Sequence, residues 1–77
     1  MSKLITKDSR LVEPGSIYCC FPGQHVDGHD YINQALEKGA AKIYGTKDIS
    51  GIGNYIQVED INQTYTKLAQ ELYGYND

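Results

Sequence analysis

An apolar run enclosed by two Pro-Gly pairs is the feature that most constrains the fold. The run is Ser16-Ile17-Tyr18-Cys19-Cys20-Phe21, and it lacks the alternation of polar and apolar residues that a half-exposed strand shows. This pattern is typical of a strand buried on both faces of a parallel sheet. Pro14-Gly15 predicts a turn before the strand. Pro22-Gly23 ends the strand, because proline cannot continue a central hydrogen-bonded ladder.

The next two elements complete a strand–helix–strand unit. Asp27-Gly28 leads into a predicted helix over 29–38, with Gly39 as its C-terminal cap. Residues 40–44 read as a short second strand. Such a unit predicts a right-handed crossover between parallel strands. The apolar residues of the helix fall on one stripe, which we expect to face the sheet: Tyr31, Ile32, Ala35 and Leu36.

The second half of the chain predicts one more strand and one more helix. Residues 55–58 read as the strand, after a Gly-, Ser- and Asp-rich surface loop over 45–54. Asp60 is a good N-cap and Gln63 completes a capping box. The clearest amphipathic pattern follows, ended by Gly74: Ile61, Tyr65, Leu68, Ala69 and Leu72. With an edge strand over 4–8, the fold class is α/β, a small, mostly parallel sheet with two main helices in a single compact domain.

Length and charge exclude several functions. A chain of 77 residues is one domain at most. Its net charge of −3 leaves no electrostatic footprint for nucleic acid. No apolar run approaches the roughly 20 residues of a membrane span, and the N-terminus does not read as a signal peptide. We therefore expect no nucleic-acid or membrane partner and a cytoplasmic location.

The cysteines and histidines do not form a metal-binding pattern. Cys19 and Cys20 are adjacent, so on a strand they point to opposite faces and do not pair with each other. We interpret them as free thiols in a reducing compartment. His25 and His29 have the His-x₃-His spacing that zinc sites use, but the predicted helix begins between them and the cysteines lack Cys-x-x-Cys spacing, so we expect no metal.

A ligand of such a sheet would bind beyond the carboxyl ends of the strands. That edge contains the loop Pro22–Gly28, with Gln24, His25 and Asp27 as polar side chains and a helix N-terminus to follow. These features suit a phosphate or a sugar hydroxyl. A tight turn with no ligand explains the two glycines equally simply, and the spacing alone favours it. Similarly, Asp8-Ser9-Arg10 offers a hydroxyl and a guanidinium for a diphosphate, or is only a polar turn.

The two stretches together form an ordered string that resembles a known family. The string is Asp8-Ser9-Arg10, Pro14-Gly15, the strand, then Gly23-x-x-x-Asp27-Gly28-x-x-Tyr31-Ile32, followed by Ala35 and Gly39-Ala40-Ala41. It is similar to the opening domain of the muramyl-peptide ligases, which build the peptidoglycan precursor of the bacterial cell wall. The closest resemblance is to the ligase that adds the third amino acid to UDP-N-acetylmuramoyl-dipeptide. The resemblance covers nearly all of residues 1–77.

The resemblance implies a role and a set of site residues. In this family the opening domain holds the UDP end of the UDP-N-acetylmuramoyl-peptide. Ser9 would contact this substrate through its hydroxyl group. Gln24, His25 and Val26 would line the nucleotide-sugar site. The supporting loop residues would be Asp8, Arg10, Gly23, Asp27 and Gly28.

The resemblance also implies what this chain lacks. No Gly-x-x-Gly-Lys-Thr phosphate loop is present, so we expect no catalytic residue and no cofactor in this chain. ATP and Mg would belong to the parent ligase, and the central ATP-binding and C-terminal domains would be its partners. The chain departs from the family at Lys7, where a leucine is common, and in the order Gln24-His25. The alternative function is a stand-alone regulatory or protein-interaction module with a vestigial pocket.

Overall fold

Four short strands lie side by side in chain order within the part of the chain that the structure describes. This computed structural model describes residues 5–22 and 27–73, with the side chain of residue 73 excepted. The strands form one parallel sheet in the order β1-β2-β3-β4. Their bounds are β1 (Ile5–Thr6), β2 (Ile17–Cys19), β3 (Lys42–Gly45) and β4 (Tyr55–Gln57). The predicted α/β fold with a parallel sheet is confirmed, and β1 is the predicted edge strand.

The central strand β2 is buried on both faces, as its sequence predicts. It is shorter than the predicted run 16–21 and pairs with β1 on one side and β3 on the other. Tyr18 and Cys20 point into one core cluster, together with Ile32, Ala35 and Ile43. The intervening Cys19 points into a second cluster on the opposite face. Successive side chains of a strand alternate between faces, so one apolar run supplies both cores.

The connection from β2 to β3 differs from the single predicted helix. A 3₁₀ turn over Gly28–Tyr31 comes first, and the α-helix α1 covers only Ile32–Glu37. The expectation that Tyr31 faces the sheet is wrong, because its side chain is 37% exposed. The 3₁₀ turn has three residues per turn, which shifts Tyr31 out of the stripe that an α-helix would give. Ile32 and Ala35 are buried as predicted.

Gly39 ends α1 as predicted. Its φ angle is +94°, in the left-handed region that glycine adopts most readily. Its amide donates to the carbonyl of Leu36 at 3.0 Å. A Cβ on Gly39 would lie 2.8 Å from the Cα of Pro14, so the helix end packs directly against the turn that precedes β2.

The helix α2 (Ile61–Tyr73) covers the face of the sheet opposite α1. The carboxylate of Asp60 accepts a hydrogen bond from the amide of Gln63 at 3.0 Å, as its N-cap assignment predicts. Ile61 is buried with Ile5 and Cys19. The expectation that Leu72 faces the core is wrong, since it is 37% exposed. At 13 residues α2 is longer than the strands it covers, so its last turn has little sheet beneath it.

The connection from β3 to β4 is a loop, as predicted, although it joins parallel strands. Ile49 and Ile52 of this loop pack on the core cluster beside α1. Both cysteines are buried free thiols. In the described ranges, no helix has the length and apolar character needed to cross a membrane.

Candidate functional site

A cleft of about 770 Å³ lies at the carboxyl ends of β1 and β2. Parallel strands bring the segments that follow them to the same edge of a sheet, so residues far apart in sequence meet here. The walls come from the segment after β1, the segment after β2 and the start of α1. The lining residues are Lys7, Asp8, Ser9, Arg10, Tyr18, Phe21, Pro22, Gly28, Tyr31 and Gln34.

The segment after β1 is a tight turn held by an aspartate, which we call the Asp8 turn (Asp8 and the 3₁₀ helix Ser9–Leu11). The Asp8 carboxylate accepts from the backbone amide of Arg10 at 2.9 Å. It also accepts from Nε and Nη2 of Arg10, at 3.1 and 2.8 Å. These bonds lower the pKa of the Asp8 carboxyl to about 2 and raise that of the Arg10 guanidinium. Asp8 and Arg10 therefore form a closed ion pair at the cleft.

Ser9, in the middle of this turn, is buried and faces α1. Its hydroxyl donates to Oε1 of Gln34 at 2.6 Å. The Ser9 oxygen keeps its acceptor capacity, and the Gln34 amide keeps its two N–H donors. The pair thus presents both donors and an acceptor at the cleft, which suits a ligand with hydroxyl or phosphate oxygens.

The far side of the cleft is fixed by close backbone packing of Gly28 against the end of β2. The Gly28 amide donates to the carbonyl of Phe21 at 2.9 Å. The hydroxyl of the buried Tyr18 donates to the Gly28 carbonyl at 2.8 Å. Burial raises the pKa of Tyr18 well above its ordinary value, so the phenol stays protonated. A Cβ on residue 28 would lie 2.7 Å from the Phe21 nitrogen, which explains why glycine occupies this position.

A second aspartate-held turn starts beside the cleft, and we call it the Asp27 turn (Asp27 and the 3₁₀ helix Gly28–Tyr31). Here the Asp27 carboxylate accepts from the backbone amide of His29 at 2.9 Å. The ring of His29 is buried, and its Nε2 accepts from the amides of Thr46 and Lys47 at 3.1 and 3.4 Å. The proton therefore lies on Nδ1, which donates to Asp27 at 2.6 Å.

The Lys47 ammonium completes this network with an ion pair to Asp27 at 2.6 Å. This pair, with the bonds from His29, holds the pKa of the Asp27 carboxyl well below its usual range. The His29 ring thus joins the Asp27 turn, which it contacts through Nδ1, to the loop after β3, which it contacts through Nε2. Among the described residues, no three His, Cys, Asp or Glu side chains come together as a potential metal site.

On the side of the cleft nearest α2, the lining residues Lys7 and Phe21 contact Tyr65, which lies behind them; we call the two rings the Phe21–Tyr65 wall. Phe21 and Tyr65 make an edge-to-face contact, with their ring centroids 5.5 Å apart. The Lys7 ammonium lies over both rings, 5.2 Å from the Phe21 centroid and 5.9 Å from that of Tyr65. This wall positions a cation at the rim of the cleft.

The structure brings some of the predicted site residues together. Ser9, Asp8, Arg10 and Gly28 line one cleft, although Asp8 and Gly28 lie on separate segments. Asp27 lies outside the lining and holds the turn behind it. The remaining predicted site residues fall outside the described residues and stay predictions: Gly23, Gln24, His25 and Val26.

Five residues of the lining were not predicted as site residues: Lys7, Tyr18, Phe21, Tyr31 and Gln34. Lys7 stood out only as a departure from a family pattern, and Gln34 gave no local sign of its partner, because Ser9 is 25 residues away. Tyr31 was assigned to the core, and Phe21 was assigned only to a buried strand. The exposed aromatic position of Tyr31 follows from the 3₁₀ turn, which the helical spacing of the apolar residues did not indicate.

The fold and the cleft define a class, that of small parallel α/β domains with a ligand cleft at the carboxyl edge of the sheet. A family model described as "Mur ligase family, catalytic domain" matches residues 2–73. The UDP-N-acetylmuramoyl-L-alanyl-D-glutamate–2,6-diaminopimelate ligase of Alkaliphilus metalliredigens is 41% identical over 69 residues, 87% of this chain and 14% of the relative. The ligase of the same name from Lactiplantibacillus plantarum is 39% identical over 71 residues, 92% of this chain and 14% of the relative.

Among solved structures, the MurF ligase of Thermotoga maritima, crystallised with ADP, superposes with a TM-score of 0.80. It is 30% identical, and the match covers 95% of this chain and 17% of that one. The chain therefore belongs to the Mur ligase family and corresponds to its N-terminal domain, which confirms the resemblance seen in the sequence. It spans only about a seventh of the length of the relatives it matches.

Proposed function

We propose that this domain binds the UDP-N-acetylmuramoyl-peptide substrate of an ATP-dependent amino-acid ligase of peptidoglycan-precursor synthesis. The observation that carries the proposal is the position of Ser9, the residue in which the family resemblance and the cleft coincide. Ser9 is buried at the cleft and paired with Gln34. The relatives are named for acting on UDP-N-acetylmuramoyl-L-alanyl-D-glutamate, which favours that dipeptide form of the substrate.

The proposed role is binding and orientation, with no bond made or broken by this domain. The Asp8 ion pair fixes the turn, so Ser9 is held in place before a ligand arrives. Phe21 and Tyr31 supply aromatic surface in the cleft for the apolar parts of a nucleotide sugar. Holding one reactant in a fixed orientation is a substantial part of catalysis by a ligase whose reacting groups bind elsewhere.

ATP and Mg²⁺ are proposed to bind the parent ligase outside this domain. We also propose the cytoplasm as the compartment, which fits the two buried free thiols on β2.

An amide NMR titration with UDP-N-acetylmuramoyl-L-alanyl-D-glutamate tests the proposal. We expect saturable shifts clustered at Ser9, Gly28 and Gln34, and smaller shifts of the same amides with UDP alone. Ser9→Ala removes one hydroxyl hydrogen bond and should weaken binding about tenfold. The matched control is Ser50→Ala, since Ser50 is exposed on the loop after β3, away from the cleft lining. Absence of shifts at millimolar ligand would contradict the proposal and favour a protein-interaction module.

A further inference from the structure

The two cations that line the cleft differ in what surrounds them. The two side-chain hydrogen bonds that the structure records for Arg10, from Nε and Nη2, both go to the Asp8 carboxylate. That carboxylate is ionised at neutral pH, so the charge of Arg10 is balanced within its own turn. Within residues 5–22 and 27–73, Lys7 makes no ion pair with a carboxylate.

Lys7 is nevertheless held in a defined position. Its ammonium lies over the faces of Phe21 and Tyr65, and these rings are themselves locked in an edge-to-face contact. A ring face attracts a cation without neutralising its formal charge and occupies only part of its donor capacity. Among the lining residues that the structure describes, Lys7 is therefore a positioned positive charge that no carboxylate pairs, on a chain whose net charge is −3.

The other polar groups of the lining indicate which kind of ligand group the Lys7 ammonium would contact. Ser9 and Gln34 offer hydroxyl and amide groups to uncharged oxygens, and the Asp8 carboxylate is already taken by Arg10. Among the described lining residues, an anionic group in this cleft would thus find in Lys7 a cation that no carboxylate pairs. The proposed ligand carries anionic groups at its diphosphate and on its dipeptide, and the proposed function places the diphosphate end in this domain.

We propose that Lys7 contacts the diphosphate of the nucleotide-sugar ligand and determines the preference of this domain for the charged, nucleotide end of its substrate. This inference rests on the proposed function, and it adds a specificity residue at a position where the family commonly has leucine. The charge-assisted contact forms at the mouth of the cleft, where an approaching anion meets the ammonium first.

The test compares Lys7→Met with Lys42→Met by titration calorimetry and NMR, with UDP-N-acetylmuramoyl-L-alanyl-D-glutamate as the ligand. Lys42 is exposed at the amino end of β3, so its substitution makes the same change of charge away from the cleft. We expect Lys7→Met to weaken binding about tenfold, the typical loss for one charge-assisted hydrogen bond, and Lys42→Met to leave it unchanged. Lys7→Arg keeps the charge over the rings and should retain most of the affinity.

Salt dependence separates a charge contact from loss of packing. Between about 0.01 and 1 M KCl the Debye length falls from about 30 to about 3 Å. The affinity of the wild-type domain should fall over this range, and that of Lys7→Met should fall less. Equal salt dependence of the two proteins would show that Lys7 acts by supporting the Phe21–Tyr65 wall, and the inference would be wrong.

Two further results distinguish a failure of the proposed function from a failure of the inference about Lys7. If the wild-type domain shows no binding, the proposed function itself fails. If wild type and Lys7→Met bind equally well, the proposed function stands and the inference about Lys7 is overturned. Should Lys7→Met not fold, the salt dependence of the affinity of the wild type and of Lys7→Arg still tests the inference about Lys7. An affinity that does not change with salt excludes the phosphate contact.

Discussion

The Asp8 turn and the Asp27 turn have the same local construction and different surroundings. Each follows a strand, and in each an aspartate caps a 3₁₀ helix by accepting from the amide two residues on, at 2.9 Å in both cases. Each aspartate also binds the side chain of that later residue, Arg10 or His29. The Arg10 side chain is 80% exposed, whereas that of His29 is 4% exposed.

The residue directly after the aspartate shows the consequence of these different surroundings. In the Asp8 turn it is Ser9, whose hydroxyl reaches the cleft lining and Gln34. In the Asp27 turn it is Gly28, which has no side chain and lies against the backbone of Cys20 and Phe21, just after β2. The first turn presents a polar group to the cleft, while the second joins segments of the fold. A shared sequence pattern, Asp-x-basic, therefore lines the cleft in one place and supports the architecture in the other.

Gly28→Ala should have the largest effect, because it tests the architectural turn at its closest contact. The new Cβ would lie 2.7 Å from the Phe21 nitrogen and 3.0 Å from the Cys20 Cα. Both atoms belong to the backbone of the central strand region and cannot move independently. We expect a loss of about 3 kcal/mol in the free energy of unfolding, measured by urea denaturation followed by circular dichroism.

Gly53→Ala is the control for this substitution, since nothing lies within 4 Å of its Cβ. It should leave the urea midpoint nearly unchanged. Similar midpoints for Gly28→Ala and Gly53→Ala would show that the Asp27 turn is not packed against β2 as described.

His29→Leu should have the next largest effect on stability. Leucine fills the buried site but leaves the amide of Thr46 without its acceptor and removes the ring hydrogen bond to the Asp27 carboxylate. Loss of a buried hydrogen-bond partner costs about 2 kcal/mol in the free energy of unfolding.

Arg10→Gln in the Asp8 turn should shift the urea midpoint only slightly, because exposed ion pairs contribute little to stability. A larger shift for Arg10→Gln than for His29→Leu would contradict the division of roles between the turns.

The comparison also shows how far the sequence could predict this fold. The two Pro-Gly pairs and the unbroken apolar run indicated β2 and its burial on both faces, since these are local signals with one simple solution. The helix α2 was predicted by its apolar spacing and its Asp60 cap. Tyr31 was misplaced because an aspartate-held 3₁₀ turn changes the rotation of the chain before α1 begins.

The candidate site was predictable only in part. Strand direction predicts which edge of the sheet holds a cleft, and the cleft lies there. The Ser9–Gln34 pair and the bonds of His29 to the loop after β3 join segments that are distant in sequence. No local pattern encodes such contacts, so the sequence placed His29 only at the start of a helix. The contacts of its ring assign it a structural role.

The smallest predicted effect is a difference in pH dependence between the two aspartates. The ordinary carboxyl pKa of 3.8 is lowered to about 2 at Asp8, chiefly by the side-chain hydrogen bond from Arg10. At Asp27 it is lowered further, chiefly by the hydrogen bond from Lys47 and then by those from His29. In both cases the unfolded chain binds the proton more readily, so each carboxylate stabilises the fold above about pH 4 and loses this effect as the pH falls through its folded pKa.

Asp8→Asn and Asp27→Asn keep an oxygen that can cap the turn and remove the titration together with the ion pair to Arg10 or Lys47. The free energy of unfolding of the wild type should fall between about pH 4 and pH 2, and each variant should show a shallower fall. Because the folded pKa of Asp27 is the lower of the two, the effect of Asp27→Asn should extend to more acidic pH than that of Asp8→Asn. Urea denaturation at a series of pH values measures both slopes. A slope for Asp27→Asn parallel to that of the wild type would show that Lys47 and His29 do not hold this carboxylate in the folded state.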